Sequence, residues 1–484
     1  MRCAFWVVLA ALLGAGCGQS GNSGGPTSKP AVIARWRLAG GQALRGQTNA
    51  PVLREVLTLP ESVGVGSRLG TNLSRFLLAR WGRTNIAATE GQLYPLVEAL
   101  LERESAGEIT ENGWILAIRG GDIPGAVLVP ALSLLPRRAG VAAPSTLTTN
   151  GWWMAASTPA DLARAATLPT AVPGGLMLGE FNLPIVLGPG HEEWPSISVT
   201  VGTSNATVRT AATLDFAKAP LGELEPWKLP DDFIRDPVIR FNALRGTGPL
   251  IDRVDWLRAL TGGSSPGQVI GWAQPEVTFR NWFAFPVEEP NSRIEKIHTD
   301  LRSRFKTNDP SGTYLGRMIV NSNRSAVAVF DLKACLPTMG TVKQGAQSFL
   351  LTSFVPGMKS TDRVPAELLA QINRPNLAFY EWEITGQSAK NWNVLAQFNQ
   401  LSQAHLPNPL NPRAFRWMLA SADKLGNSVT QLERRSATQY EFTRKSDTGL
   451  SGLDWVLLTR WIDSGFPGLN RQLPGFPLSP VSKP

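Results

Sequence analysis

The sequence predicts an α+β fold, with mostly antiparallel or mixed sheets and helices packed against them. Three observations carry that prediction. Ile197, Val199 and Val201 alternate with Ser196, Ser198 and Thr200, and a Gly202-Thr203-Ser204-Asn205 turn leads into Thr207–Phe216. Period-two alternation on both sides of a turn reads as a hairpin with one wet face. Val52–Leu59, Asn72–Trp81 and Leu93–Arg103 carry apolar residues at helical spacing, as amphipathic helices do. Trp114–Ile118 and Trp152–Ala156 are short apolar runs bounded by glycine, which fit buried strands. With 43% hydrophobic and 18% charged residues, the composition is that of a folded globular protein.

In chain order, residues 31 to 82 read as mixed coil and helix. Thr158-Pro159-Ala160-Asp161 opens a helix, with a capping hydroxyl, proline at the first position and an acid three residues on. In the second half, Val277, Phe279, Phe283, Phe285 and Val287 line one strand face, and Ile294–Phe305 is an amphipathic helix. Met318–Val320 and Ser325–Phe330 flank Asn321-Ser322-Asn323 as a second hairpin. Leu377–Ile384 is a strand and Trp392–Leu401 a helix. Ser451-Gly452-Leu453-Asp454 is a capping box before Trp455–Ile462. Pro467, Pro474, Pro477, Pro480 and Pro484 make the last twenty residues an irregular tail.

At 484 residues the chain is long for one core, and two or three domains are expected. Leu229-Pro230-Asp231-Asp232-Phe233-Ile234 leads to Pro237, Phe241 and Gly246. Val364-Pro365-Ala366-Glu367-Leu368-Leu369 leads to Pro375, Phe379 and Gly386. The parallel admits two related α+β units, or merely common punctuation. The expected organisation is a first unit over 31–262, the Gly/Ser/Pro stretch Gly262–Gly267, a second unit over 268–463 and a tail over 464–484.

The N-terminus carries the clearest signal. Arg2 is a positive start, Ala4–Leu13 is an uncharged apolar core, and Gly14-Ala15-Gly16 are small. That is the plan of a secretory signal, over residues 1–16, and its core is too short to span a bilayer. Leu13-Gly14-Ala15-Gly16-Cys17 resembles the lipobox of bacterial lipoproteins, with Gly14 where that family prefers a large aliphatic residue. The resemblance implies cleavage before Cys17, lipid attachment to Cys17 and a membrane anchor. Gly18 resembles the residue that sorts such proteins to the outer membrane. Gly18 to Pro26 is rich in Gln, Ser, Gly and Asn, and residues 17–30 read as a flexible tether. The alternative is ordinary secretion. Cys3 would leave with the signal, so only Cys17 and Cys335 would remain, with Cys335 in the apolar stretch Val327–Leu336, where a small buried hydrophobe is expected.

Catalytic patterns are weak throughout. Gly263-Ser264-Ser265-Pro266-Gly267 matches G-x-S-x-G, but the nucleophile elbow needs a strand before it and a helix after. Here Trp256–Leu260 before it looks helical and Gln268–Ala273 after it is short, so a linker is the better reading. His191, His298 and His405 are more than a hundred residues apart, unlike clustered zinc ligands. Asp122, Glu180, Glu192, Glu193, Asp231, Asp232, Glu381 and Glu383 are acids of the type glycosidases pair, yet none is singled out. Asp231 and Asp232 read as a helix first turn, and Glu381 and Glu383 as the solvent face of a strand. Trp81, Trp114, Trp256, Trp417, Trp455 and Trp461 sit beside aliphatic residues, as core packing places them.

The formal charge of +9 is scattered, with Arg137-Arg138 and Arg434-Arg435 the only arginine doublets. Such a surface is attracted to anionic lipid or envelope polymers, whereas nucleic-acid binding would call for a basic stripe or a known motif. The expected function is therefore a non-catalytic binding or scaffolding role in the cell envelope, with no catalytic, cofactor or metal residues nominated and Cys17 as the lipid site. The alternatives are an exported hydrolase of glycan or peptide, and a periplasmic ligand-binding protein.

Overall fold

A computed structural model describes residues 32–464 except 121–124, 136–143, 166–167, 169–174, 188–189, 276–279, 309–316, 321–325, 330–337, 354–361, 365 and 403–411. Cys17, Asp122, Cys335, His405, the tether and the proline-rich tail lie outside the described residues.

In chain order the elements begin with β1 (Val32–Leu38), α1 (Gly40–Arg45), α2 (Pro51–Thr58), α3 (Val65–Arg80), α4 (Ile86–Glu102), β2 (Ser105–Thr110) and β3 (Trp114–Arg119). Next come α5 (Gly125–Leu134), β4 (Ser145–Thr149), β5 (Trp152–Ala156), α6 (Pro159–Ala165), β6 (Gly175–Asn182), α7 (Leu183–Leu187), β7 (Ser196–Ser204) and β8 (Thr207–Asp215). The middle of the chain holds β9 (Arg240–Arg245), α8 (Gly248–Asp252), α9 (Asp255–Leu260), β10 (Gln268–Ala273), β11 (Asn281–Val287) and α10 (Pro290–Asn308). It continues with β12 (Arg317–Val320), β13 (Ala326–Val329), β14 (Thr338–Gln344), β15 (Gln347–Ser353), α11 (Ala366–Ala370), β16 (Leu377–Ile384) and α12 (Thr385–Ser402). The last elements are α13 (Pro412–Ala422), β17 (Asn427–Arg434), β18 (Gln439–Ser446) and α14 (Gly452–Ser464).

The fold is α+β, and every described strand pairing is antiparallel. Two compact units emerge. The first takes the described residues up to 218 together with those of 412–426 and 438–464. The second takes those of 219–402 with 427–437. The Gly262–Gly267 stretch lies inside the second unit, where it joins α9 to β10.

The first unit is a sheet in the order β4-β5-β3-β2-β1-β6-β7-β8-β18. Sequence reading left β1 as mixed coil and helix. VIARWRL is in fact its central strand, with Ala34, Trp36 and Leu38 buried. The β7–β8 hairpin runs two residues beyond the expected turn. Ser204 pairs with Thr207, and Asn205 and Ala206 adopt φ of 50° and 61°, because two left-handed residues match the twist of the flanking strands. Thr158 caps α6 as expected, accepting the Asp161 N–H at 3.1 Å. The Ser451 box forms too: Ser451 N–H donates to Asp454 at 3.1 Å, and Asp454 N–H to the Ser451 hydroxyl at 3.3 Å. α14 and α13 meet through Trp455 and Trp417, whose ring centroids are 4.8 Å apart. The Trp417 indole N–H donates to the Val56 carbonyl at 3.0 Å. Such an aromatic pair adds about 0.5–1.5 kcal/mol beyond area burial.

The second unit is a sheet in the order β12-β13-β14-β15-β11-β10-β9-β16-β17. Its core stacks Trp272 on Trp282, with centroids 5.9 Å apart and planes 10° apart, beside Phe241 and Tyr380. Seven strands follow one plan in both units: β4-β5-β3-β2-β1-β6-β7 corresponds to β14-β15-β11-β10-β9-β16-β17, with helices at the same four connections. Both central strands end in a glycine of positive φ, Gly40 at 81° and Gly246 at 71°, a backbone state that favours glycine. Both also carry an arginine opposite a glutamate of the next strand, Arg35 with Glu180 and Arg240 with Glu383. The two segments that look alike in sequence, around Phe241 and Phe379, are instead neighbouring strands of the second sheet, β9 and β16.

Two further expectations change. Asp231 and Asp232 stand in a turn rather than a helix, and Asp232 pairs with Arg363 at 2.8 Å. Glu383 does not face solvent. It is 0% exposed, because Arg240 lies opposite it and Ser428 donates to it at 3.0 Å.

Candidate functional site

The first unit's sheet has one face packed by apolar side chains and another that is largely polar and, over β1, β6, β7, β8 and β18, open. On β1 the alternation sends Ala34, Trp36 and Leu38 inward and leaves Arg35 and Arg37 on the other face. Glycines make this register tight. A Cβ added at Gly107 would lie 2.3 Å from ring carbons of Trp36, and one at Gly179 would lie 2.3 Å from the Phe181 ring. Each aromatic ring therefore occupies the space that a glycine leaves without a side chain. Because side chains alternate strictly, the same register places Arg35 opposite Glu108 and Glu180.

Those residues form a ladder of charge across the open face. Arg35 Nη2 is 2.6 Å from Glu108 and its Nη1 is 3.5 Å from Glu180. Arg164 reaches Glu108 at 3.1 Å and Asp161 at 3.3 Å. One step along, Glu104 bridges Arg37 and Arg119, the latter at 3.1 Å. Arg37 is nearly buried, with 8% of its side chain exposed, while Arg119 keeps 64%.

Two contiguous depressions follow this face and share Arg37 and Leu178. One, of about 500 Å³, crosses β1, β6, β7, β8 and β18 over Ser198, Thr200, Ala211 and Thr213, small residues that leave the sheet surface bare. The other, of about 590 Å³, lies where β1 and β3 end and β2 and β6 begin. Its charged lining is Arg37, Arg103 and Arg119 against Glu104. There the Glu104 carboxylate serves both the Arg37 and the Arg119 guanidinium groups. Guanidinium forks grip oxyanions in paired hydrogen bonds, so the groove offers recognition chemistry.

Among the described residues, the acids and histidines considered from sequence are not brought together into one cluster. Glu180 joins the ladder through Arg35. Glu192 accepts the Gly190 backbone N–H at 3.0 Å, a bond that holds its carboxyl below the usual range. His191 lies beside Trp194, with ring centroids 6.3 Å apart. His298 is buried on α10, in the other unit. Ser265 follows a helix and precedes a strand, the reverse of an elbow, and donates to Asp252. Among the described residues no three His, Cys, Asp or Glu side chains cluster to hold a metal, Trp194 is the single exposed tryptophan, and no helix is long and apolar enough to cross a membrane. Sequence reading missed Arg35, Arg37, Arg103, Glu104, Glu108 and Arg119. The one local signal was Arg35-Trp36-Arg37, alternating charge and apolar bulk, which was legible as a strand only once its partners were known.

No protein family matches this chain, and no curated protein and no solved structure matches it either.

Proposed function

We propose that this is an exported, lipid-anchored protein of the cell envelope whose first unit binds a partner along the open groove, without catalysing a reaction. The observation that carries the binding half is a ladder of paired arginines and carboxylates laid on a bare sheet face and continuous with two depressions. The export half rests on the signal of residues 1–16 and on Cys17, with the tether setting the body off from the membrane. A lipid pair on Cys17 would hold the chain firmly, since two acyl chains anchor where one binds only marginally. The partner is an envelope polymer or protein, and nucleic acid is not the expected ligand.

The test compares wild type with Cys17→Ala in a bacterial host by intact mass and membrane fractionation. The expected result is acyl mass and membrane pelleting in the wild type alone. Release of both as soluble protein of unmodified mass would remove the anchor and leave a secreted binding protein.

A further inference from the structure

We infer that the outer edge of β4 is a docking surface for a second copy of this chain, which pairs its own β4 antiparallel across a two-fold axis centred on Leu147. No residue of β4 lines the groove, so this seam is a second surface, separate from the one proposed above to bind a partner.

β4 is Ser145-Thr146-Leu147-Thr148-Thr149, a strand with no charged residue, no proline and no bulge. Those are the devices by which proteins blunt a strand edge. Among the described residues its only strand partner is β5, and Thr146, Leu147 and Thr148 are exposed. The turn fixes which backbone groups face outward. Thr149 pairs with Trp152 across Asn150 and Gly151, whose φ of 48° and 77° make a two-residue hairpin loop. The closing pair of such a loop exchanges hydrogen bonds, and the bonding direction then alternates along the strand. Ser145, Leu147 and Thr149 therefore bond to β5. The N–H and C=O groups of Thr146 and Thr148 point away from it, with no strand among the described residues to receive them.

The second unit shows what this plan sets against such an edge. The strand that corresponds to β4 is β14, and β13 pairs with it antiparallel, followed by β12. β13 is Ala326-Val327-Ala328-Val329, short and uncharged as β4 is. The connection from α10 to β14, residues 309–337, supplies that hairpin, whereas the connection from α5 to β4 is only residues 135–144. β4 of a second copy is a strand of the kind that fills the place in the second unit. The symmetric register centred on Leu147 uses the outward groups of both threonines. Thr146 exchanges hydrogen bonds with the partner's Thr148, and Leu147 faces the partner's Leu147 as a non-hydrogen-bonded pair, the closer of the two kinds. Leu147 is 46% exposed. It lies opposite Met154, which packs with Ile115, Ala117 and Ala156, so the axis continues an apolar cluster across the seam.

The other face gives a second reason. α5 begins against Trp153, whose Nε1 is 3.4 Å from a Cβ placed at Gly125, and Trp153 lies opposite Thr148. α5 carries no charged residue, and its Val127 and Val129 are 46% and 47% exposed. A helix that is apolar on every side is ordinarily covered. The two-fold axis stands perpendicular to the sheet, so both copies of α5 lie on one face of a continuous sheet. Charge selects the same occupant. The chain carries +9, yet this strand and this helix are neutral, so two copies meet here without opposing like charges.

The experiment follows the full chain in mild detergent by sedimentation equilibrium from micromolar to submillimolar concentration. Leu147→Lys sets like charges face to face at the axis. Thr148→Pro removes an outward N–H and spares the bonds to β5. Circular dichroism checks that both fold. The expected result is a reversible dimer whose dissociation constant rises tenfold or more in each variant. Register is read by disulfide formation under mild oxidation, with Cys3, Cys17 and Cys335 replaced by alanine. Leu147→Cys should cross-link with itself, since the pair lies within disulfide reach. Thr149→Cys alone should not, but should cross-link with Ser145→Cys in an equal mixture. A wild type that stays monomeric, or a dimer that both variants leave unchanged, overturns the proposal. Equal cross-linking of Leu147→Cys and Thr149→Cys overturns the register. Amide exchange identifies another occupant: protection of Thr146 and Thr148 in a monomer would assign the edge to a segment of the same chain. Free exchange of both at every concentration would leave it to a partner of another kind, and either result excludes the second copy.

Discussion

Replacing Gly107 with alanine tests the packing that sets the register of the charged face. Gly107 lies in β2 opposite Trp36, and an added Cβ would come within 2.3 Å of two Trp36 ring carbons. Those atoms belong to a rigid ring only 4% exposed, so the ring has little room to withdraw. In an open strand the exchange would gain about 0.5–1 kcal/mol by limiting the unfolded chain. Here overpacking dominates, at about 1–3 kcal/mol, and two contacts so far inside van der Waals range put the expected loss near the upper end. Trp36→Leu removes the offending ring carbons. In that background Gly107→Ala should cost about 0.5 kcal/mol or less, giving a coupling of about 2 kcal/mol between the two sites, well beyond the additivity of independent positions. Urea unfolding followed by far-ultraviolet circular dichroism measures all four corners of the cycle, with an unchanged m-value as the check on mechanism. If Gly107→Ala costs the same with and without the Trp36 ring, the register does not depend on that contact and the reasoning fails.

Other predictions follow from buried charge. Arg240 is 2% exposed and lies 4.0 Å from the Trp392 ring centroid. It donates to Asn281 at 2.8 Å but leaves Nε and Nη1 without a hydrogen-bond partner. Burial pushes its guanidinium down to about 10. Arg240→Met removes the positive charge that lies opposite the buried Glu383 carboxylate and should cost about 1–3 kcal/mol, whereas Arg240→Met with Glu383→Leu should recover part of that loss. Urea unfolding of the three proteins decides it, and equal stability of the single and double variants would contradict an electrostatic coupling between the two positions. Asp463 on α14 accepts the Ala414 and Phe415 N–H groups at the start of α13, at 3.2 and 3.3 Å. Burial raises its carboxyl above the usual range despite those bonds and Arg68 nearby. The folded state thus holds this proton more tightly than the unfolded one. Its contribution is complete below the ordinary aspartate value of about 3.9 and is lost as pH rises through the folded value. Stability of the wild type relative to Asp463→Asn should accordingly fall as pH rises from about 3 to 6, and a flat or rising difference would contradict the assignment.

Local pattern determined much of this protein. Alternation at 196–201, the Thr158 and Ser451 caps and the apolar runs at 114–118 and 152–156 specify their elements through neighbours a few residues away, and the structure forms them there. The secretory signal proposed for residues 1–16 is equally local, since it is read from charge, apolar length and small residues in sequence. Tertiary structure decided what depends on distant partners. β1 hides as coil because Arg35 and Arg37 interrupt its apolar residues, and their charge is tolerable only against Glu108, Glu180 and Glu104, which lie about 70 to 145 positions away. Glu383 looks like a solvent residue until β9 sets Arg240 opposite it. The shared plan of the two units is written in strand order, which hydrogen bonds between remote segments create and no local periodicity records. The groove has the same origin. It exists because small residues on β7 and β8 leave one face of a sheet bare, and only the pairing of those strands, through β6, with β1 brings that face beside its arginines.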